Sequence, residues 1–187
     1  MPKPRIVIGV AGRIGSGKTA IAHHIQRKFG FEYLRYSIVL ADWYSAHPES
    51  KTWLQEIGWQ VMSSAGQREL NKRLIDRITH AGNYVVDGLR HPIDFESLKI
   101  RFEPNFYLVF VDTPAEIRFE RLVDRYATLS DFHKADSHAV ESNIEFLKPL
   151  ATVVLRGSLP FDRLLIQADD FVTTLQRMTT DSGRTPH

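Results

Sequence analysis

The sequence predicts an α/β fold: a parallel sheet with helices on both faces. Short, continuously apolar runs of the kind found in strands buried on both sides alternate along it with helix-period segments. The glycine-rich stretch GRIGSGKT (12–19) lies where the first such run meets the first helix, a characteristic strand–loop–helix junction.

Each element has its own signal. RIVIGV (5–10) is the first strand and leads into the glycine loop. Helix character runs from Lys18 to Phe29 and stops at Gly30, which suits a left-handed C-cap. FEYLRY (31–36) reads as the second strand, with Ser37 as N-cap for IVLADWYSA. Pro48 interrupts, and two helical segments come next at about 51–64 and 67–80, hinged near Gly66. NYVVDG (83–88), NFYLVFVD (105–112) and ATVVLRG (151–157) supply the third, fourth and fifth strands. Helices are expected at about 93–102, 114–127, 137–148 and 159–178. Residues 1–178 then form one domain, and the tail 179–187 is expected to be flexible.

Composition narrows the function classes. With 187 residues, 43% hydrophobic and 25% charged, the chain is long enough for one core and does not resemble a disordered segment. A net charge of +2 gives no sign of a surface built to coat a nucleic-acid polymer. There are no cysteines, which excludes disulfides and thiolate metal sites. Eight histidines give no metal pattern: His23 and His24 are adjacent, His133 and His138 are five apart, and H-E-x-x-H is absent. No apolar run approaches the about 18 residues of a membrane span, and the first strand is too short for a signal segment. The expectation is a cytoplasmic protein, monomer or homodimer, with no membrane partner.

Gly12, Gly17, Lys18 and Thr19 satisfy G-x-x-x-x-G-K-[ST], the phosphate loop of nucleoside triphosphate sites. Glycines let consecutive backbone N–H groups of Gly12, Arg13, Ile14, Gly15, Ser16 and Gly17 point at an anion, and the helix starting at Lys18 adds its positive dipole end. Lys18 would reach the β- and γ-oxygens, and Thr19 would bind Mg²⁺. The glycines at 12, 15 and 17 do not form the dinucleotide fingerprint G-x-G-x-x-G.

Residues beyond the loop separate a switch, a motor and a transferase. A guanine-reading N/T-K-x-D motif is absent, the one Asn-Lys pair being NKRL (71–74) in a helical context. The third strand ends VVDGLR, where Gly88 stands in place of a second, water-polarising acid. Asp87, at a strand end level with the loop, suits metal coordination through water, although an aspartate before glycine also suits a plain turn. Arg90 can bind a second phosphate bidentately. Transfer to an acceptor therefore outranks hydrolysis.

The segments GRIGSGKT, VVDGLRHPIDFESL, VDTPAEIRFERLVDR and ATVVLRGSLPFDRLLIQ together resemble the P-loop kinases of the nucleoside monophosphate kinase and dephospho-CoA kinase group, from residue 6 to about 172. The resemblance implies a three-layer P-loop NTPase fold with a five-stranded parallel sheet, a helical acceptor-binding insert at about 37–80 and a short lid at about 126–138. It implies ATP as donor with Mg²⁺ as cofactor, Arg121 and Gly157 at the ATP, Arg121 and Arg125 as catalytic arginines beside Lys18 and Asp87, and Lys134 as a closing cation of the lid. By spacing, Arg118, Arg121 and Arg125 lie near one helix face, which equally fits a solvated face paired with Glu116, Glu120 and Asp124.

The class of acceptor turns on a missing acid. A hydroxyl acceptor benefits from a carboxylate base. Dephospho-CoA kinases carry an acidic pair at the end of strand 2, where this chain has Arg35, Tyr36 and Ser37. A phosphate acceptor is already ionised and needs cations instead, which Arg35, Arg68 and Arg90 can supply. Arg35, Ser37, Asp42, Arg68 and Arg90 are the candidate acceptor residues, and the expected acceptor is a nucleoside or deoxynucleoside monophosphate. With Asp42 or Asp87 as base, a hydroxyl kinase is the alternative, and a non-catalytic nucleotide-binding module is a third. Trp43, Tyr44, Trp53 and Trp59 suit stacking on a base or burial in a core, and Gln55 or Gln67 suits a base edge.

Overall fold

All six residues of β1 (Ile6–Ala11) are buried, as its continuous apolar sequence requires. β1 pairs in parallel with β3 (Asn83–Leu89) on one side and β4 (Phe106–Asp112) on the other. β2 (Glu32–Arg35) lies beyond β3 and β5 (Val153–Arg156) beyond β4, giving the all-parallel order β2-β3-β1-β4-β5. The computed structural model describes residues 6–45, 51–62, 65–79, 81–138, 141 and 143–181.

The helices are α1 (Lys18–Phe29), α2 (Tyr36–Trp43), α3 (Lys51–Met62), α4 (Gly66–Ile75), α5 (Pro92–Phe102), α6 (Ala115–Glu120), α7 (Leu129–Asp136) and α8 (Phe161–Asp181), with a 3-10 helix at Asn143–Leu150. Strand alternation sorts the core into two faces. Ile6, Ile8 and Val10 pack with Ile21 and Ile25 of α1 and Leu164, Ala168 and Val172 of α8. Val7 and Ala11 face the other way, toward Leu40 of α2, Leu70 and Leu74 of α4, Leu98 of α5 and Leu147 of the 3-10 helix. Three layers result.

One irregularity shapes the functional end. Val10 is opposite Asp87 but Ala11 is opposite Leu89, so Gly88 bulges out of the ladder with φ +91°. A side chain would strain that backbone; glycine accepts it and lets the ends of β1 and β3 diverge.

The helix boundaries correct several expectations. Ser37 is not the N-cap: Arg35 holds the extended cap position and Ser37 is inside the first turn of α2. The helix expected over 114–127 ends at Glu120, with Arg121 as C-cap. Part of the polar segment 126–138 is itself helical, because Thr128 accepts the Asp131 N–H and starts α7. The helix expected over 137–148 is 3-10 over Asn143–Leu150, where Pro149 cannot donate an α-helical bond. α8 continues to Asp181, so the first residues of the expected tail are helical. Pro48, residues 63–64 and the tail beyond 181 lie outside the described residues.

A buried polar network fixes α4 against the loop after β3. Asp94 Oδ1 accepts from Gln67 Nε2 and from Asn71 Nδ2 at 2.9 Å, while Oδ2 accepts from the Arg90 and His91 N–H groups, each at 3.0 Å. Tyr36 donates to Asn71 and ties in α2. Burial pushes the Asp94 carboxyl above its ordinary value, against the pull of these donors. Asp94→Asn turns one acceptor oxygen into a donor among donors. We expect it to lower urea-unfolding stability by about 3 kcal/mol with an unchanged denaturant slope.

Candidate functional site

The site lies at the C-terminal ends of the central strands, where successive crossovers pass to opposite sides of β1 and open sheets bind ligands. The glycine loop leaves β1 there and delivers Lys18 and Thr19 into the first turn of α1. The Lys18 amine donates to the Arg13 carbonyl at 3.2 Å. Burial pulls the Lys18 pKa below its ordinary value; Glu141 and Asp87 oppose that pull, and Arg90 and Arg35 add to it. Three cations and two carboxylates thus share one electrostatic cluster.

Asp87 is fully buried at its centre. Its Oδ2 accepts from Thr19 Oγ1 and from the Tyr33 hydroxyl, each at 2.8 Å, and lies 3.5 Å from Arg35 Nε. Its Oδ1 has no hydrogen-bond partner among the described residues. Tyr33 stacks on His23 with ring centroids 4.3 Å apart, and burial together with Asp87 pushes its phenol well above the ordinary value. An orphaned, buried carboxylate oxygen beside a hydroxyl fits a small hard cation that keeps most of its water, so Thr19 and Asp87 fit Mg²⁺.

On the opposite side, Arg121 and Gly157 close the loop. Arg121 donates to the Ser16 carbonyl at 3.1 Å and to the Gly157 carbonyl at 2.7 Å. Gly157 approaches so closely that a Cβ there would come within 1.8 Å of Thr113 Oγ1, which itself donates to the Ser16 carbonyl at 3.0 Å. Only glycine fits without displacing its neighbours.

Arg118 is no solvated residue. Only 3% exposed, it donates to the Thr113 carbonyl at 3.0 Å, the Ile14 carbonyl at 3.2 Å and Asp136 Oδ2 at 2.9 Å. Arg13 joins it on Asp136, at 3.0 Å. Because α6 ends at Glu120, Arg125 does not share its face; it is exposed in the following turn, over the Tyr126 ring.

Glu141 is the residue the sequence did not single out. Its side chain is fully buried, accepts the Ile14 N–H at 3.1 Å and lies 3.2 Å from Arg90 Nη1. Nothing in its local pattern marks it, since its partners are more than 50 residues away.

The other acceptor candidates are dispersed. Asp42 pairs with Arg77 at 2.9 Å on the exposed side of α2, and Arg68 is exposed on α4. Gln67 is committed to Asp94, and Trp43 lies under the Arg73 guanidinium at 4.7 Å. Trp59 and Tyr44 are exposed; the side chains of Trp53 and Gln55 lie outside those described. Lys134 is exposed on α7, 3.8 Å from Asp131.

The model of the AAA domain family matches residues 8–139. Two curated relatives are UPF0200 proteins. That of Pyrobaculum aerophilum is 30% identical over 64% of this chain, and that of Aeropyrum pernix 26% over 65%. The matched part is just under two thirds of each relative's length, 66% and 65%. Among solved structures, a gluconokinase from Sinorhizobium meliloti 1021 superposes over 99% of both chains with a TM-score of 0.66 and 16% identity. A shikimate kinase from Acinetobacter baumannii covers 92% of this chain and 93% of its own, with a TM-score of 0.58 and 16% identity. The fold is therefore that of the P-loop kinases. No described helix is long and apolar enough to cross a membrane.

The Asp136 clamp has a pH signature. Burial alone would raise its carboxyl, but hydrogen bonds and charge from Arg118 and Arg13 outweigh that and hold it below its ordinary 3.8. With the folded value depressed, its stabilisation is present above pH 3.8 and fades as pH falls through the lower folded value. Urea unfolding across pH should therefore find Asp136→Asn less stable than wild type at pH 7, with the gap shrinking below the ordinary carboxylate value.

Proposed function

The chain belongs to the AAA domain family, and on that premise we propose that it transfers the γ-phosphoryl group of ATP to a nucleoside or deoxynucleoside monophosphate. One observation carries the reading: the Lys18, Arg35 and Arg90 side chains share an electrostatic cluster beside the Thr19–Asp87 pair, and the end of β2 carries Arg35, opposite Asp87, instead of an acid. A site rich in cations at the acceptor end suits an acceptor that brings its own negative charge.

In this mechanism the backbone of residues 12–17 and Lys18 hold the donor phosphates, and Arg121 with Gly157 borders the donor at the far side. Thr19 and Asp87 would hold Mg²⁺, which would supply charge neutralisation at the donor phosphates. Arg35 and Arg90 bind the acceptor phosphate and hold its oxygen in line with the γ-phosphorus. The new bond forms between that oxygen and phosphorus, the bond to the β–γ bridging oxygen breaks, and ADP leaves with the electron pair. The lid, residues 126–138, covers the donor and excludes water; Asp136 ties it to Arg13 and Arg118. Arg125 is proposed to enter the site as the lid closes. Ser37, Asp42 and Arg68 remain proposed acceptor contacts.

A second reading is a hydroxyl acceptor, favoured by Glu141, a carboxylate on Arg90 where a base could act. Two of the proteins sharing the fold, the gluconokinase and the shikimate kinase, are named for substrates other than nucleotides.

An ADP-release assay over ribo- and deoxyribonucleoside monophosphates, dephospho-CoA, gluconate and shikimate separates these readings. The proposal expects turnover with a monophosphate; turnover with a hydroxyl acceptor alone contradicts it, and no acceptor-dependent turnover points to a binding module. Arg90→Ala should raise the acceptor KM by about 10- to 100-fold while changing ATP affinity far less, because it removes a charge-assisted bond to one substrate. Equal loss of both would place Arg90 on the donor.

A further inference from the structure

The donors gathered at the phosphate loop are already partly occupied. On the proposed reading a triphosphate would run from the Arg121–Gly157 side, where Arg121 meets the residue after β5, past Lys18 toward the loop tip. Its terminal phosphate then belongs at the loop tip, between the Ile14 N–H and Lys18, and Arg90 is left to the acceptor. Glu141 is already there: it takes the Ile14 N–H at 3.1 Å, lies 3.2 Å from Arg90, and is the strongest carboxylate influence on Lys18.

We propose that Glu141 is an internal stand-in for the terminal phosphate and sets the preference of the loop between ATP and ADP. The inference rests on the ATP-binding reading of the site. ADP places its last phosphate over Lys18 and the start of α1, and Glu141 keeps Ile14 and Arg90. ATP brings a further phosphate to the Ile14 N–H and to Lys18, and a second anion cannot share them with Glu141 at hydrogen-bond distance in a buried site. Glu141 must then withdraw, so ATP binding carries a penalty that ADP binding does not.

Glu141 is also held loosely enough to be displaced. Among the described residues its Oε1 lies beside Arg90 as a charge pair without a well-formed hydrogen bond, while Oε2 takes the Ile14 N–H. Asp136, five residues earlier, is by contrast gripped by both Arg13 and Arg118.

The test compares the β,γ-imido analogue of ATP with ADP, each with Mg²⁺, by calorimetry on wild type and Glu141→Gln. Glutamine keeps the shape and removes the charge. The analogue should bind the variant about tenfold more tightly, the scale of one charge-assisted hydrogen bond, while ADP affinity moves less than about twofold. Equal shifts for both nucleotides, no shift, or weaker analogue binding would overturn the proposal. The last two fit a base or a purely structural carboxylate.

A second readout needs no variant. In wild-type protein the Ile14 amide resonance should stay near its free position with ADP and move with the analogue; equal movement with both overturns the proposal. Failure of the kinase reading looks different, since the nucleotide discrimination would persist while no acceptor turned over. Absence of nucleotide binding by wild type overturns both.

Discussion

The hydrogen bond from Thr19 to Asp87 is the contact around which the site is organised. It joins the first turn of α1 to the end of β3, two elements with no local reason to meet. Asp87 is buried, so its charge must be met by neighbours, and Thr19, Tyr33 and Arg35 all converge on Oδ2. That convergence leaves Oδ1 without a partner among the described residues, an arrangement that costs stability and is consistent with a site kept for a cation. The Gly88 bulge belongs to the same constraint, since it redirects the chain after Asp87 and carries Arg90 over the loop.

A second layer of charge holds the loop from above. Arg13 and Arg118 grip Asp136, and Ile14 and Arg90 hold Glu141. The end of α7 and Glu141 are therefore each attached to the loop by a carboxylate, and the two differ in character. Asp136 meets two guanidiniums and is a fixed anchor. Glu141 meets a backbone N–H and a single charge, on groups suited to a phosphate. In buried surroundings such pairs contribute little net stability but penalise any arrangement that leaves one partner alone.

Much of this was readable in the sequence. Continuous apolar strands, G-x-x-x-x-G-K-T and D-G-x-R are local patterns, and the sheet, the loop and the meeting of Thr19 with Asp87 follow from them. Strand order was not readable, because the apolar residues of the strands carry no mark of which neighbour they lie beside. The arginine spacing misled because it assumed a helix through 127. Arg121 ends that helix while bonded to Ser16 and Gly157, and those partners are distant in sequence. Glu141 escaped for the same reason: its burial comes from tertiary contacts, and a charged residue at helical spacing looks like surface.

The central claim is that Thr19 and Asp87 form the metal end of a nucleoside triphosphate site. The most direct measurement is the affinity of the non-hydrolysable ATP analogue with and without Mg²⁺, for wild type and Asp87→Asn. Mg²⁺ should tighten binding to wild type, and the variant should lose this gain. Metal-free binding should be unchanged or tighter once a negative charge is gone. A variant that retains the full Mg²⁺ gain would contradict the assignment.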